Sequence, residues 1–221
     1  MRLIAPCQTT RKPHTRMRPT VVFRMKAHRL ILIVLSGCVA GLAFSCAYSA
    51  TVLKGETLHS ISDETGLATW ETENRGIHFR LTQISREQAQ AFMLARGMDA
   101  KSADEFAGTC VFMSVLRNDS KKPIKYCLAE WRYAPIDDTP QLMLTKHDWL
   151  ARWQPRNFSK PVKTAFEWSQ FPVEQTFSPG DWNQGMTTYE IPPGTRFDVT
   201  YRWWQGGKLH EGTLRNVECH K

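Results

Sequence analysis

The sequence lacks the short motifs that mark the commonest enzyme sites. It contains no Gly-x-Ser-x-Gly, no His-Glu-x-x-His, no Walker loop and no Gly-x-Gly-x-x-Gly. Cys-x-x-Cys is absent too, which removes the usual thioredoxin-like and haem-attachment motifs from consideration. We therefore expect a protein that works by binding, is not an enzyme and needs no cofactor.

Acidic residues are missing from the first 50 positions, although the whole chain of 221 residues carries 21 of them. Eight of the 29 Lys and Arg residues lie in that segment, so residues 51–221 hold 21 basic and 21 acidic side chains. A nucleic-acid-binding protein concentrates its positive charge on the folded part. The net charge of +8 belongs to the leader, and we expect no nucleic-acid partner.

Residues 1–50 have the layout of an export signal. Basic residues at 26–29 precede an apolar run over residues 30–47 that ends in small side chains. No second apolar run of spanning length follows. We expect the body to lie outside the cytoplasm, in the periplasm or at the membrane, with an envelope protein as its partner.

Three fates of this leader are open. Cleavage after Ala47 fits the small-x-small rule, and cleavage after Ala50 is an alternative that places Tyr48 at an unfavourable position. Leu-Ser-Gly-Cys ending at Cys38 has the form of a lipobox, which predicts a lipid anchor. The run also approaches the roughly 20 residues that span a bilayer, so it could remain as a membrane anchor. The start codon is open as well: Met1, Met17 or Met25.

Three cysteines fall in the body: Cys110, Cys127 and Cys219. In an oxidising compartment an odd number predicts one disulfide and one free thiol. Cys110 begins a central strand and Cys219 ends the last one, so we favour Cys110–Cys219, which would tie the C-terminus to the core. Cys127 as a partner, or three buried reduced thiols, remain alternatives.

Residues 109–116, TCVFMSVL, are the most informative stretch of the body because both of their faces are apolar. A strand that is apolar on both sides needs cover on both sides, which places it in the middle of the fold. We expect it to form a hairpin with residues 124–133. The clearest alternating strand, residues 196–204, is followed by the Gly206-Gly207 turn.

Turn signals separate these strands at roughly ten-residue spacing, which is typical of a sandwich. The predicted fold class is therefore mainly β, an immunoglobulin-like β-sandwich over residues 76–221 with a short helical pair inserted near its start; a closed barrel is the alternative. The helical pair is predicted over residues 85–96 and 99–107. Other segments are predicted as strands over residues 77–82, 162–168 and 171–177, as a linker over residues 51–75, and as an irregular loop over residues 181–186.

Two parts of the chain resemble known families. Residues 52–66, VLKGETLHSISDETG, resemble the first half of a LysM module, a small peptidoglycan-binding fold, and this implies a cell-wall binder as one alternative. A second set of residues comprises Gln90-Ala91-Phe92 with Arg96-Gly97, Cys110-Val111-Phe112 with Asn118, Pro179-Gly180-Asp181 with Gly185-Met186, and Glu218-Cys219. With these residues the body is similar to an uncharacterised exported family of proteobacteria, which brings no activity with it.

The body also offers soft metal ligands. Thioether, thiolate and imidazole groups suit Cu(I), and exported sandwiches often hold copper. The candidate ligands are Met186, Cys127, His210 and His220, which would make the protein a copper-handling one. Their spacing matches no recognised metal motif, so side chains that fill the core or face solvent are the alternative.

Eight tryptophans, all in the body, provide the main binding hypothesis. Trp203 and Trp204 are neighbours on one strand, so one of them must face outward. Trp182 and Met186 belong to the predicted loop. We predict a contact surface from these four residues, able to bind a partner protein, an extended peptide or sugar rings. The alternative is that the tryptophans build the core. The predicted function is an exported accessory or binding protein.

Overall fold

The computed structural model describes residues 55–136 and 138–221. The predicted leader, with Cys38 and the cleavage positions, lies outside the described residues. Within the described ranges, no helix is both long enough and apolar enough to cross a bilayer.

The described residues form eleven strands and four helices, which confirms the mainly β class. The strands are β1 Thr57–Ile61, β2 Ala68–Asn74, β3 Ile77–Gln83, β4 Cys110–Asn118, β5 Ile124–Cys127, β6 Arg132–Pro135, β7 Gln141–Leu142, β8 Glu174–Phe177, β9 Trp182–Tyr189, β10 Arg196–Gln205 and β11 Lys208–Glu218. The helices are α1 Arg86–Leu94, α2 Ala100–Ala107, α3 Lys146–Arg152 and α4 Lys160–Ser169, with 3-10 turns at Leu128–Glu130 and Gln154–Arg156.

These strands build two antiparallel sheets. The first sheet has the order β1-β2-β3-β4-β9. In the second sheet β11 pairs with one edge of β10, while β5 and β6 pair with its other edge. β8 lies outside β5, and β7 lies outside β6. β4 has a neighbour on each side, as its two apolar faces predicted. The immunoglobulin-like arrangement stays a prediction.

One core lies between the two sheets, and we call it the inter-sheet core. The first sheet contributes alternate residues such as Phe79 and Phe112, and the second contributes Tyr201 and Phe197. The other face of the first sheet is partly covered by the helices. There a second cluster, the helical core, joins Met186 of β9 to the helical side chains Phe106, Trp149, Trp153 and Phe166.

The predicted helical pair is confirmed by its caps. Ser85 accepts a hydrogen bond from the backbone of Gln88, whose side chain accepts from the Ser85 backbone, so a complete capping box begins α1. Asp99 caps α2 through the backbone of Ser102. Both helices pack through alanines and Phe106 onto the first sheet.

Two predictions about connectivity are wrong. Residues 51–75 are not all linker, because β1 and β2 form a hairpin within the first sheet and Trp70 is buried. The LysM-like stretch thus supplies part of that hairpin. The predicted hairpin of β4 with β5 does not form either, since β4 pairs with β3 and β9 while β5 belongs to the second sheet. The polar turn at Asn118 carries the chain from the first sheet to the second.

The strand predicted over residues 162–168 is instead α4. Val162 and Phe166 satisfy both a two-residue period and the four-residue spacing of a helix. Ala165 and Ser169 complete the partly buried helical face, whereas Trp168 is exposed. Pro161 near the helix start is favourable for a helix and unfavourable in a strand interior.

The loop predicted over residues 181–186 is also wrong, because residues from Trp182 onward form β9. Gly185 explains the misassignment. A side chain there would overlap the backbone of Gln170 and Phe171, which crosses β9 at this point. A glycine required by close backbone contact therefore interrupts the alternation of the strand.

The predicted disulfide joins the two sheets. Cys110 at the start of β4 is bonded to Cys219, just after β11, with a Cα–Cα distance of 5.5 Å. Cys127 is buried and disulfide-bonded, so the expectation of a free thiol there is wrong.

Side chains of the first sheet also satisfy the outer edge of β11. The Asn74 amide donates to the Glu211 carbonyl at 3.0 Å, and the Gln83 amide donates to the Glu218 carbonyl at 2.8 Å. An unpaired strand edge invites association with other chains, so these bonds protect an eleven-residue edge strand.

Candidate functional site

The four residues predicted as a contact surface do not lie together. Met186 is buried in the helical core and Trp203 in the inter-sheet core, so neither can touch a partner. Trp182 and Trp204 are 57% and 41% exposed. The prediction that one of the adjacent tryptophans faces outward is confirmed, and Trp204 is that residue.

Trp182 and Trp204 lie at the same end of the two sheets, but each points away from the inter-sheet core on its own sheet. On the first sheet Leu116 and its neighbour Asn183 face the inter-sheet core, so Trp182 points away from it. On the second sheet Trp203 faces that core, so Trp204 points outward, directly opposite Leu209. A flat partner can therefore contact only one of the two tryptophans.

Asn118 organises the loops at this end. Its side-chain amide donates to the carbonyls of Lys122 and Phe177, and its side-chain oxygen accepts from Ser120. Its backbone N–H donates to the Asp181 carbonyl at 2.9 Å. Asn118 is fully buried, and these bonds use most of its hydrogen-bonding capacity. Trp182 therefore begins its strand from a fixed turn.

A row of polar side chains crosses the first sheet and ends at Trp182. Glu73, His78, Arg117 and Trp182 are direct cross-strand neighbours on the face that points away from the inter-sheet core. Asp119 pairs with both His78 and Arg117. We call these five residues the Trp182 surface. It combines a large aromatic side chain with a charged surround, the composition common at protein interfaces.

Trp168 is exposed more than any other tryptophan, at 85%. It lies near the end of α4, two residues before the bridge that joins Gln170 to Met186 of β9. Sequence reasoning missed it because the predicted strand placed it on the same face as Phe166. A helical period through Phe166 would have turned Trp168 toward solvent.

The candidate copper ligands are not brought together. Met186 lies in the helical core, and His210 stacks on Trp203 with ring centroids 5.6 Å apart. His220 follows the far end of β11, so about 25 Å of strand separates it from His210. Among the described residues, no three His, Cys, Asp or Glu side chains are placed to hold a metal ion.

A cleft of about 640 Å³, which we call the inter-sheet cleft, is lined by residues of both sheets. No sequence pattern predicted this cleft. One wall comes from the β1–β2 hairpin and the other from the ends of β10 and β11. The lining residues are Gly55, Glu56, Thr57, His59, Trp70, Arg196, Arg215, Asn216 and Glu218.

The hairpin wall of the cleft carries a stacked ring pair. His59 lies over Trp70 with centroids 4.8 Å apart and an interplanar angle of 29°. Trp70 is buried beneath and His59 is exposed above it. The imidazole therefore presents a supported flat face to the cleft.

The opposite wall is shaped by a β-bulge. The register between β10 and β11 shifts between Phe197 and Val199, and Asn216 adopts a left-handed conformation with φ 54°. The Asp198 carboxylate accepts from the Asn216 backbone at 2.9 Å and from the Arg215 guanidinium at 3.4 Å. Bulges redirect side chains, and this one directs Arg215 into the cleft.

Comparison with known proteins found no matching family model, no matching curated protein and no matching solved structure.

Proposed function

We propose that the protein is an exported accessory protein that binds an envelope protein through the Trp182 surface. The Cys110–Cys219 disulfide supports a non-cytoplasmic location, because such bonds persist in oxidising compartments. The predicted export signal agrees with that location.

The exposure of Trp182 is the observation that carries this proposal. Tryptophan is enriched among the few interface residues that supply most of the binding free energy. Trp182 begins a strand, and Asn118 holds the turn that precedes it. Little conformational entropy would therefore be lost when a partner covers Trp182. His78 and Arg117 surround it with groups that can pair with a polar rim.

Site-specific photo-crosslinking in cells tests the proposal. A photoreactive phenylalanine analogue at Trp182 should give one discrete adduct with an envelope protein. The control position is Thr213, on the outer face of the second sheet, which should give none. With the probe moved to Arg117, the substitution Trp182→Ala should reduce the adduct by about tenfold or more, the loss typical of an aromatic anchor.

Equal adducts from the Thr213 and Trp182 probes would contradict the proposal, as would an Arg117 adduct that survives Trp182→Ala. A probe at Trp204 decides between the two outer faces. If it alone gives the adduct, the partner binds the second sheet and the Trp182 surface is not the contact.

Two other predicted functions, copper handling and cell-wall binding, can be tested on the purified protein. A copper-handling protein should take up near-stoichiometric Cu(I) and lose it on substitution of Met186 or His210. A cell-wall binder should sediment with peptidoglycan. Deletion of residues 51–66 is unsuitable there because it removes β1 from the first sheet. Substituting the exposed residues Glu56 and His59 leaves the strand in place.

A further inference from the structure

Two arginines, Arg196 and Arg215, line the inter-sheet cleft with much of their hydrogen-bonding capacity uncommitted. Nε of Arg196 is 3.2 Å from Glu218, and Nη1 of Arg215 is 3.4 Å from Asp198. The arginine side chains are 65% and 63% exposed, and ion pairs at such positions are weak. A guanidinium has five N–H donors, so each arginine can bind a ligand without first losing its present partner.

The bulge gives Arg215 a defined direction. The left-handed conformation at Asn216 is uncommon for a residue other than glycine, and Asp198 fixes it by accepting from the Asn216 backbone. The Arg215 N–H also donates to the Thr57 hydroxyl at 2.8 Å, which ties the bulge to β1 across the cleft. Uncommon backbone conformations that are held by several contacts concentrate at functional sites.

The size and walls of the cleft suit a small ligand. Its volume of about 640 Å³ lies within the range of natural ligand sites. His59 offers a flat surface, supported by Trp70, against which a ring or a peptide unit can pack. The donors lie on the opposite wall, so one ligand can contact both.

We propose that the inter-sheet cleft binds small carboxylate-bearing ligands. The guanidinium groups of Arg196 and Arg215 hold the carboxylate, because a planar guanidinium matches a carboxylate with two parallel hydrogen bonds. The rest of the ligand packs against His59. Such a carboxylate has two chemical sources, a sugar acid or the free C-terminus of a short peptide.

Titration of the purified protein, followed by backbone amide NMR, tests this assignment. The carboxylate probes are glucuronic acid, N-acetylmuramic acid and N-acetyl-dialanine; the neutral probes are glucose, N-acetylglucosamine and N-acetyl-dialanine amide. At least one carboxylate probe should give saturable shifts at His59, Arg215 and Asn216. Its neutral counterpart should bind about tenfold more weakly, as expected for the loss of a charge-assisted hydrogen bond. Whichever of the sugar acids or the peptide binds more tightly identifies the source.

Variants separate recognition from folding. Arg215→Ala should weaken binding of the tightest probe about tenfold. Arg215→Lys should restore only part of that affinity, because an ammonium group cannot form the two parallel hydrogen bonds of a guanidinium. Arg196→Ala provides the same test on the other arginine if Arg215→Ala fails to fold. Arg86→Ala is the matched control, since Arg86 forms a comparably exposed ion pair with Asp104 on the helices. It should leave binding unchanged.

Three results would overturn the assignment: no saturable shift with any carboxylate probe, equal binding of the neutral counterparts, or shifts that map outside the cleft. The Trp182 surface is not involved in this experiment, so either proposal can fail while the other stands.

Discussion

The inter-sheet core and the helical core are both rich in aromatic side chains, but they are closed in different ways. The inter-sheet core is held by the Cys110–Cys219 disulfide and by the hydrogen bonds that the side-chain amides of Asn74 and Gln83 donate to backbone carbonyls of β11. The helical core contains no cysteine among its described members. There the Trp149 indole N–H donates to the Thr188 hydroxyl at 2.9 Å, and Trp153 and Arg156 both contact Glu105 of α2.

This difference predicts a hierarchy of stability. Opening the inter-sheet core requires breaking links that join residues far apart in the chain. Opening the helical core requires only that a layer of short helices leaves one face of the first sheet. Local openings begin where the links are few, so we expect the helical layer to open before the sheets separate. The candidate binding sites lie on the sheets, which should hold them rigidly.

Removing the disulfide should have the largest effect. The bond closes a segment with a sequence separation of 109 residues, and chain-entropy arguments give about 5 kcal/mol for a loop of that length. The double variant Cys110→Ala/Cys219→Ala should lower the free energy of unfolding in guanidinium by that amount. A loss below about 1 kcal/mol would contradict the idea that the disulfide makes the inter-sheet core more stable than the helical core.

Two matched phenylalanines compare the cores directly. Phe197 lies in the inter-sheet core and Phe166 in the helical core, and both are at most 1% exposed. Replacing a buried phenylalanine by alanine typically costs about 3–5 kcal/mol. We expect Phe197→Ala to accelerate amide exchange in both sheets, whereas Phe166→Ala should accelerate it mainly in the helices. Equal acceleration throughout in both variants would show a single cooperative unit.

The same contrast explains how much of the fold the sequence predicted. Alternation identified β3, β10 and the core face of β4, because one buried face leaves a two-residue pattern. The helical layer was harder. Val162 and Phe166 fit both the two-residue period of a strand and the four-residue spacing of a helix. Gly185 interrupts the alternation of β9 because the backbone at Gln170, from another segment, crosses the strand there. Local patterns cannot report such contacts between distant segments.

The candidate sites were predicted only in part. Trp182 and Trp204 were identified by residue type and proved to be exposed, while Met186 and Trp203 proved to be buried. The inter-sheet cleft could not be predicted. Its arginines reach it through a bulge, and its hairpin wall was assigned to a linker because β1 is mostly exposed. Neither the bulge nor the exposed strand β1 has a recognisable local pattern in the sequence.

Close packing over Gly212 provides a smaller test. A side chain at Gly212 would overlap the ring of Tyr201, which lies across the glycine on the neighbouring strand. Gly212→Ala should lower the free energy of unfolding by about 2–3 kcal/mol, since overpacking forces neighbouring groups to shift. Gly180 is the control. It has φ +86° and open space around it, so Gly180→Ala should cost only about 1 kcal/mol of backbone strain. Equal losses would mean that the Tyr201 ring yields easily.

Tyrosine ionisation should affect the inter-sheet core alone. Burial raises the pKa of Tyr126, Tyr189 and Tyr201 in that core, and the helical core contains no tyrosine among its described members. These groups stay protonated in the folded chain, so their stabilisation is complete below the unfolded pKa of about 10 and is lost as pH rises above it.

The Tyr201 hydroxyl is buried with no hydrogen-bond partner among the described residues, so Tyr201→Phe should be neutral or stabilising by about 1 kcal/mol at pH 7. It should also reduce the loss of stability in alkali. Tyr189→Phe is the control, because its hydroxyl accepts from Thr187 and its removal should cost about 1 kcal/mol at pH 7. Thermal unfolding at pH 7 and pH 10.5 or so measures both effects. A destabilised Tyr201→Phe at pH 7 would show that its hydroxyl contributes a bond, and the alkaline contrast between the cores would then rest on the other three tyrosines of the inter-sheet core, Tyr126, Tyr133 and Tyr189.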